Sequence, residues 1–343
     1  MSVPLQSLYT HTVNEYSKMI AQAATFLILS IGIAYSSASF SFGEKILVEN
    51  STINTCSPQD LLSVGTVHMF KVCSRPDDPI ITHWLKRDLY WGFMIEYETL
   101  LAHRGPFLVV EIGGNIGINA IHAAVLGHEV LAFEPQIDLS AYIKLNARLN
   151  GVAENVTVVR MGLSDKSGTS VFKIDTRNRG GSAIADSSEE KRHFYSMVSI
   201  SLTTLDDINI QKKVFLMKID VESHELKVLL GGSQFFNSVY KPEIILLEFG
   251  YPKQRPRQIL ELLHETYKYD VYIADYWLPG GQERHMQPWF YVHPSCYTKL
   301  VNDIHIYIDL AFVTTTFKQS FPWLTSAREA GQPALPELDY NLC

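Results

Sequence analysis

Three carboxylates, a histidine and a glycine turn carry the chemistry that this sequence could do. Glu111 opens Glu111-Ile112-Gly113-Gly114-Asn115-Ile116-Gly117, an acid running into a tight glycine-rich turn. About 20 residues on, Glu134 closes the apolar run Leu131-Ala132-Phe133, the spacing at which a second acid grips ribose hydroxyls. Asp220 and His224 follow in Lys218-Ile219-Asp220-Val221-Glu222-Ser223-His224-Glu225, again behind an apolar run.

The spacing Glu111-x-Gly113-x-Asn115-x-Gly117 is not the G-x-G-x-x-G of a dinucleotide site, where pyrophosphate sits on a helix N-terminus. An acid ending the first strand would repel those phosphates. It suits a cofactor with an amino group and no phosphate, and S-adenosylmethionine fits. Glu111 then lies near its amino-acid end, Gly113, Gly114, Asn115 and Gly117 pass close to it, and Glu134 takes the ribose diol. A ligand-free strand–helix turn is the alternative for the glycines, and Glu134 at this spacing weighs against it.

Positioning these groups requires strands alternating with helices. Apolar runs predict strands at 107–112, 129–133, 156–160, 214–219 and 243–248, with helices at 117–127, 138–150, 223–231 and 255–267. Runs such as Val214-Phe215-Leu216-Met217 suit strands covered on both faces, hence a parallel sheet. The expectation is an α/β, doubly wound, mostly parallel sheet with its ligand at the strands' carboxyl ends. The alternating, tyrosine-rich runs 269–274 and 304–312 predict an antiparallel pair at the sheet edge. The polar, glycine-broken stretch from Arg177 to His193 reads as a mobile loop near the site. Residues 88–101 have helical spacing, with an aromatic stripe that faces the core or lids the cofactor.

A net charge of -7 and the absence of a basic stripe argue against nucleic acid as a partner. From Met19 to Gly43 no residue is charged, and the apolar stretch approaches the roughly 20 residues that span a bilayer. An uncleaved signal anchor and a signal peptide cut after Ser36-Ser37-Ala38 are both open, the first making the membrane a partner. The expected organisation is a short cytoplasmic or irregular segment 1–18, the hydrophobic segment 19–42, a stem 43–87, a catalytic domain 88–319 and a tail 320–343. No Cys/His cluster has zinc spacing, and no metal is assigned. Cys56 with Cys73 and Cys296 with Cys343 is one of three disulfide pairings, and four free thiols is the other reading. The sequon Asn50-Ser51-Thr52 fits exposure in the secretory lumen, whereas Asn155-Val156-Thr157 leads into a predicted buried strand.

The motifs together resemble the FkbM-type family of S-adenosylmethionine-dependent methyltransferases. The matching pieces are Glu111 to Gly117, Ala132-Phe133-Glu134-Pro135, Gly162-Leu163-Ser164-Asp165-Lys166-Ser167-Gly168, Thr204-Leu205-Asp206-Asp207, Lys218 to Glu225 and Glu248. They occur in family order across roughly residues 88–250. The family usually has Asp where Glu111 stands and Gly where Ser223 stands; Ser223 can cap the following helix, but a positive φ there would add strain.

The resemblance implies a Rossmann-like class I methyltransferase fold with a seven-stranded sheet, and methyl transfer to a hydroxyl. It places Asp220 beside the transferred methyl, where it stabilises the sulfonium or orients the acceptor. His224 is the candidate general base, or else a surface histidine of a first helical turn. The family pattern puts adenine on the backbone of Leu163 and Ser164. Asp165 then accepts from the adenine amino group or serves only as a turn residue. Two functions follow as expectations. One is a membrane-anchored or secreted O-methyltransferase of the secretory pathway (ER or Golgi), acting on a glycan or other small hydroxyl acceptor. The other is a non-catalytic, methyltransferase-like interaction protein of the same membrane.

Overall fold

The computed structural model describes residues 56–57, 61–64, 68–75, 94–102, 104–176, 178–185, 195–249, 255–278, 282–303 and 308–322. Residues 19–42, the Asn50 sequon and Cys343 lie outside them. Among the described residues no helix is long and apolar enough to cross a membrane.

The strands are β1 (Leu61–Val64), β2 (Phe70–Cys73), β3 (Leu108–Ile112), β4 (Glu129–Phe133), β5 (Val156–Val159), β6 (Gly162–Leu163) and β7 (Gly168–Asp175). They continue as β8 (Ala183–Ile184), β9 (Tyr195–Thr203), β10 (Val214–Ile219), β11 (Ile244–Phe249), β12 (Asp270–Leu278), β13 (Gln282–Tyr291) and β14 (Ile308–Val313). The main sheet has the order β13-β12-β14-β11-β10-β3-β4-β5. Its five strands from β11 to β5 are parallel neighbours, and β14 pairs antiparallel with both β11 and β12. This is the doubly wound sheet that the alternation predicts, and the seven strands that the resemblance implies are joined by an eighth. The extra strand, β13, pairs antiparallel with β12 and covers what would otherwise be an open edge.

Both faces of the sheet are buried because successive residues point to opposite sides. Leu108, Val110 and Ile112 face one apolar layer with Val228, Leu229, Phe235 and Phe236. Val109, Val130, Ala132 and Leu216 face the other, which contains Tyr97, Leu100, Ala120, Ala123 and Ile143. The second layer is built by α1 (Met94–Leu101), α2 (Ile118–Val125) and α3 (Ile137–Leu149). Tyr97, Leu100 and Leu101 are fully buried, so the stripe of α1 faces the core.

On the first face, α4 (Leu205–Ile208) and α5 (Glu225–Leu230) flank β10. The helix expected at 223–231 starts later, at Glu225, because Glu222 (φ 53°) and Ser223 (φ 77°) have left-handed backbone. His224 is the N-cap, without a side-chain capping bond, so Ser223 does not cap this helix. The helix predicted at 255–267 runs from Pro256 to Glu261 and continues as a π-helix from Leu262 to Thr266.

Two features were not foreseen. Part of the polar stretch beyond Arg177 belongs to a second sheet, β6-β9-β7-β8, with its own apolar centre of Phe172, Ile174, Ile200 and Leu202. Within the span expected as a stem, β1 and β2 form an antiparallel hairpin. Its Val64, Phe70 and Val72 pack on Ile116, Ile118, Ile121 and Leu139. Asn146 of α3 accepts from Cys73 N–H at 2.7 Å, and Asn150 exchanges two bonds with the backbone of Lys71. At the second sequon Asn155 and Val156 are half-buried and Thr157 is exposed, because β5 is the sheet's edge strand and only Val158 and Val159 are buried.

Cys56 is bonded to Cys73, as one of the open pairings expected, and Cys296 is also in a disulfide. The Cys56–Cys73 bridge closes a separation of 17 residues. A loop of this size stabilises by about 3 kcal/mol through the unfolded chain. Cys56→Ser/Cys73→Ser is expected to lose about that much in denaturant unfolding; an unchanged midpoint would show that the packed hairpin suffices without it.

Candidate active site

Strand parity brings the site together. Glu111 and Lys218 are direct cross-strand partners on β3 and β10, and they lie on the same face as Val109 and Leu216. Glu134 follows β4 at the same level, since Ile112 is paired with Phe133. An open cleft of about 840 Å³, including its mouth, lies at these carboxyl ends. Glu111, Gly113, Gly114, Asn115, Glu134, Leu163, Asp220 and His224 all line it. Of the residues expected at the site, Gly117, Ser164 and Asp165 do not. Gly117, at φ 90°, caps α2 against Ile143, and Ser164 turns its hydroxyl to Asp165 and His224.

The glycine turn has a steric reason. Gly113 has φ 86°, and a Cβ there would stand 1.8 Å from the carbonyl oxygen of Asp220. The turn after β3 and the chain leaving β10 therefore touch backbone to backbone, which only glycine permits. Asp220 N–H donates to the Ile112 carbonyl at 3.0 Å and holds that approach.

Glu111 is almost fully buried, and burial pushes its carboxyl upward. Three groups oppose this. Lys218 Nζ stands 3.2 Å from Oε1, the Tyr97 phenol donates to Oε2 at 2.5 Å, and Asn119 donates at 3.5 Å. Lys218 also reaches Asp220 Oδ2 at 3.0 Å, so one buried ammonium joins the acids of two strands. Glu134 accepts from the backbone N–H groups of Asn115 and Gln136 at 3.0 and 2.9 Å. Burial still pushes it up to about 7.

Beyond Asp220 the charge becomes dense. Asp220, Glu222 and Glu248 each offer a carboxylate oxygen within 4.8 Å of the others. Burial and the neighbouring carboxylates push Glu222 up to about 9, and Glu248 also rises well above its usual range. Protonation relieves this repulsion. Three acids of this kind could also share a cation, although an acidic cluster alone does not make an ion site. Glu225, pushed up to about 7 by burial, accepts from Val221 and Ser223 N–H at 3.2 Å and so holds the left-handed loop. His224 Nε2 lies 3.0 Å from Ser164 Oγ.

The fit to a methyl donor can be tested on polar atoms of the wall. Asn115 Oδ1, Asn119 Oδ1 and Gln136 Oε1 are buried without a hydrogen-bond partner, and all three residues line the cleft. Buried acceptors of this kind call for donors. The ammonium, ribose hydroxyls and adenine amine of S-adenosylmethionine are donors, so the wall fits it. Met161, Phe172 and Ile184 add an apolar side to the same cleft.

Sequence reasoning missed Tyr97, Asn119, Gln136 and the contribution of β7 and β8. The alternation Phe172-Lys173-Ile174 was a usable strand signal. No local pattern links Tyr97 to Glu111, because the contact crosses from a helix to a strand. Lys218, which opens the Asp220 motif, pairs with two acids.

Residues 111–271 match the family model described as the methyltransferase FkbM domain. A comparison with curated protein sequences finds no match. Among solved structures, a methyltransferase FkbM from Methylobacillus flagellatus KT is 17% identical, covers 63% of this chain and 47% of its own, and has a TM-score of 0.37. A precorrin-6Y C5,15-methyltransferase from Geobacter metallireducens GS-15 is 14% identical over 64% of this chain and 87% of that one, with TM-score 0.35. An S-adenosylmethionine-dependent O-methyltransferase from Thermotoga maritima is 12% identical over 74% and 77%, with TM-score 0.34. The strand order of the main sheet and the match over residues 111–271 agree on a methyltransferase fold.

Two measurements follow from the site's strain and burial. Ser223 pays for its left-handed backbone by about 1–2 kcal/mol. Ser223→Gly should therefore raise stability by about 1 kcal/mol in thermal unfolding, and a loss of stability would show that the serine is not strained. Glu134 rises from an ordinary 4.5 to about 7 in the folded chain, so the fold favours its protonated form. That contribution is complete below pH 4.5 and is lost as pH rises through about 7. Without ligand, Glu134→Gln should match the parent at pH 4 and exceed it at pH 8 by up to roughly 3 kcal/mol. An equal difference at both values would remove Glu134 as the source.

Proposed function

We propose that this S-adenosylmethionine-dependent methyltransferase, which carries an FkbM methyltransferase domain at residues 111–271, methylates a hydroxyl oxygen of a neutral, polyhydroxylated acceptor such as a glycan. The observation that carries the reading is the convergence of Glu111, Glu134 and Asp220 on one cleft. Glu111 takes the ammonium of the methyl donor and Glu134 its ribose diol. Bound there, the donor supplies an electrophilic methyl group that passes from its sulfonium sulfur to the acceptor oxygen.

The acceptor side of the cleft is walled by Asp220 and Glu222. Hydroxyl groups exchange hydrogen bonds with the Asp220 carboxylate and the Glu222 carboxyl, whereas an acceptor carrying phosphate or carboxylate would be repelled by Asp220. Asp220 aligns the acceptor hydroxyl and takes its proton as the new bond forms. Lys218, 3.0 Å from Asp220, keeps that carboxylate in place. Proton transfer to His224 through Nε2 would require its bond to Ser164 to break.

The compartment belongs to the same proposal. The Cys56–Cys73 bridge and the bonded Cys296 support an oxidising environment. With the uncharged segment 19–42, they favour a domain in the secretory lumen, anchored by that segment or released from it.

The test is an acceptor screen with isotope-labelled methyl donor against neutral glycans, acidic glycans and amines. Label on an oxygen of a neutral glycan is the expected result, and label confined to nitrogen would overturn the hydroxyl assignment. Asp220→Asn should lower kcat by about 10²-fold or more and leave donor affinity within about twofold. Normal turnover would remove Asp220 from the chemistry.

A further inference from the structure

The family match begins at Glu111, yet the group that fixes the Glu111 carboxylate lies before it. Tyr97 of α1 is fully buried, and its phenol donates to Glu111 Oε2 at 2.5 Å. Lys218 takes the other oxygen, Oε1, at 3.2 Å. The two oxygens are thus held from opposite sides, and a donor to a carboxylate stabilises its ionised form.

The phenol is itself held in place. Next to it, Glu98 is bonded through Oε2 to His122 Nε2 of α2 at 3.0 Å and through Oε1 to His68 Nδ1, beside the β1–β2 hairpin, at 2.5 Å. His122 is fully buried, and its ring stacks on Phe70 of the hairpin at 5.3 Å and on Tyr97 at 6.3 Å. The bonds to the two histidines draw Glu98 below its usual range against the opposing effect of burial. Hairpin, α1 and α2 therefore form one clamp, and it presents the Tyr97 hydroxyl to Glu111.

We infer that Tyr97 is a positioning residue for the methyl donor: its phenol orients the Glu111 carboxylate toward the donor's ammonium, and the hairpin–α1 clamp holds the phenol. This rests on the reading that Glu111 receives the donor. A loosened Glu111 turns away from the ammonium, which weakens donor binding and leaves the transfer step itself intact.

The experiment measures affinity for S-adenosylmethionine and S-adenosylhomocysteine by calorimetry, with kcat at saturating donor, on the full chain. Tyr97→Phe retains the ring and should weaken both ligands about tenfold with kcat within about twofold. In a Glu111→Gln background, Tyr97→Phe should cause no further loss, because the bond that it removes no longer meets a carboxylate. Leu100→Val on the same buried helix is the packing control and should lower stability without changing affinity. Parent-like affinity in Tyr97→Phe, while Glu111→Gln is weakened, would overturn the inference and spare the cofactor reading. Parent-like affinity in Glu111→Gln would overturn both. Equal weakening by Tyr97→Phe and Leu100→Val, or fully additive losses with Glu111→Gln, would reduce Tyr97 to a packing residue.

Discussion

The site is organised around a buried ammonium between two carboxylates. Lys218 lies in the sheet with Glu111 on one side and Asp220 on the other, and both Lys218 and Glu111 are buried at the floor of the cleft. A buried charge is tolerable only when paired and hydrogen-bonded, so these groups constrain one another and everything that packs over them. The register of β3 against β10 is set by the same requirement, because a one-residue slip would turn Glu111 and Lys218 into opposite apolar layers. Helix α1 must then supply the phenol that satisfies the remaining oxygen of Glu111. Glu111 and Asp220 are thereby joined through one cation.

A second constraint is the backbone contact between the Gly113 turn and Asp220. It fixes how far the two strand ends can separate. The chain after Asp220 then passes through two left-handed residues, Glu222 and Ser223, before α5 begins. Their strain is held by Glu225, whose carboxylate collects the N–H groups of that loop. Glu222 and Asp220 stand on the cleft wall near Glu248, and the crowding of these acids pushes Glu222 and Glu248 toward their protonated forms.

Much of this was legible along the chain. The strands predicted at 107–112, 129–133, 156–160, 214–219 and 243–248 form within a residue of those limits, since continuous apolar runs have few alternatives to a strand covered on both faces. Glu111, the glycines, Glu134 and Asp220 stand at strand ends and declare themselves by spacing. The helix start at Glu225 was missed because left-handed backbone at Glu222 and Ser223 leaves no compositional mark. The second sheet was missed where glycines and polar residues masked short alternating strands. The hairpin was read as stem because its apolar residues are few and find their partners on α2 and α3.

The sequence by itself determined the order of strands and helices, the acids at the strand ends and the glycines of the turn after β3. Those properties are local, since they follow from apolar periodicity, side-chain charge and backbone freedom. The tertiary structure alone decided that Lys218 bridges two acids, that Tyr97 reaches Glu111 and that Glu248 stands beside Asp220 and Glu222. These contacts join residues far apart in the chain, and nothing in local spacing encodes them. They exist because the sheet's register and the packing of α1 leave each buried charge one set of partners.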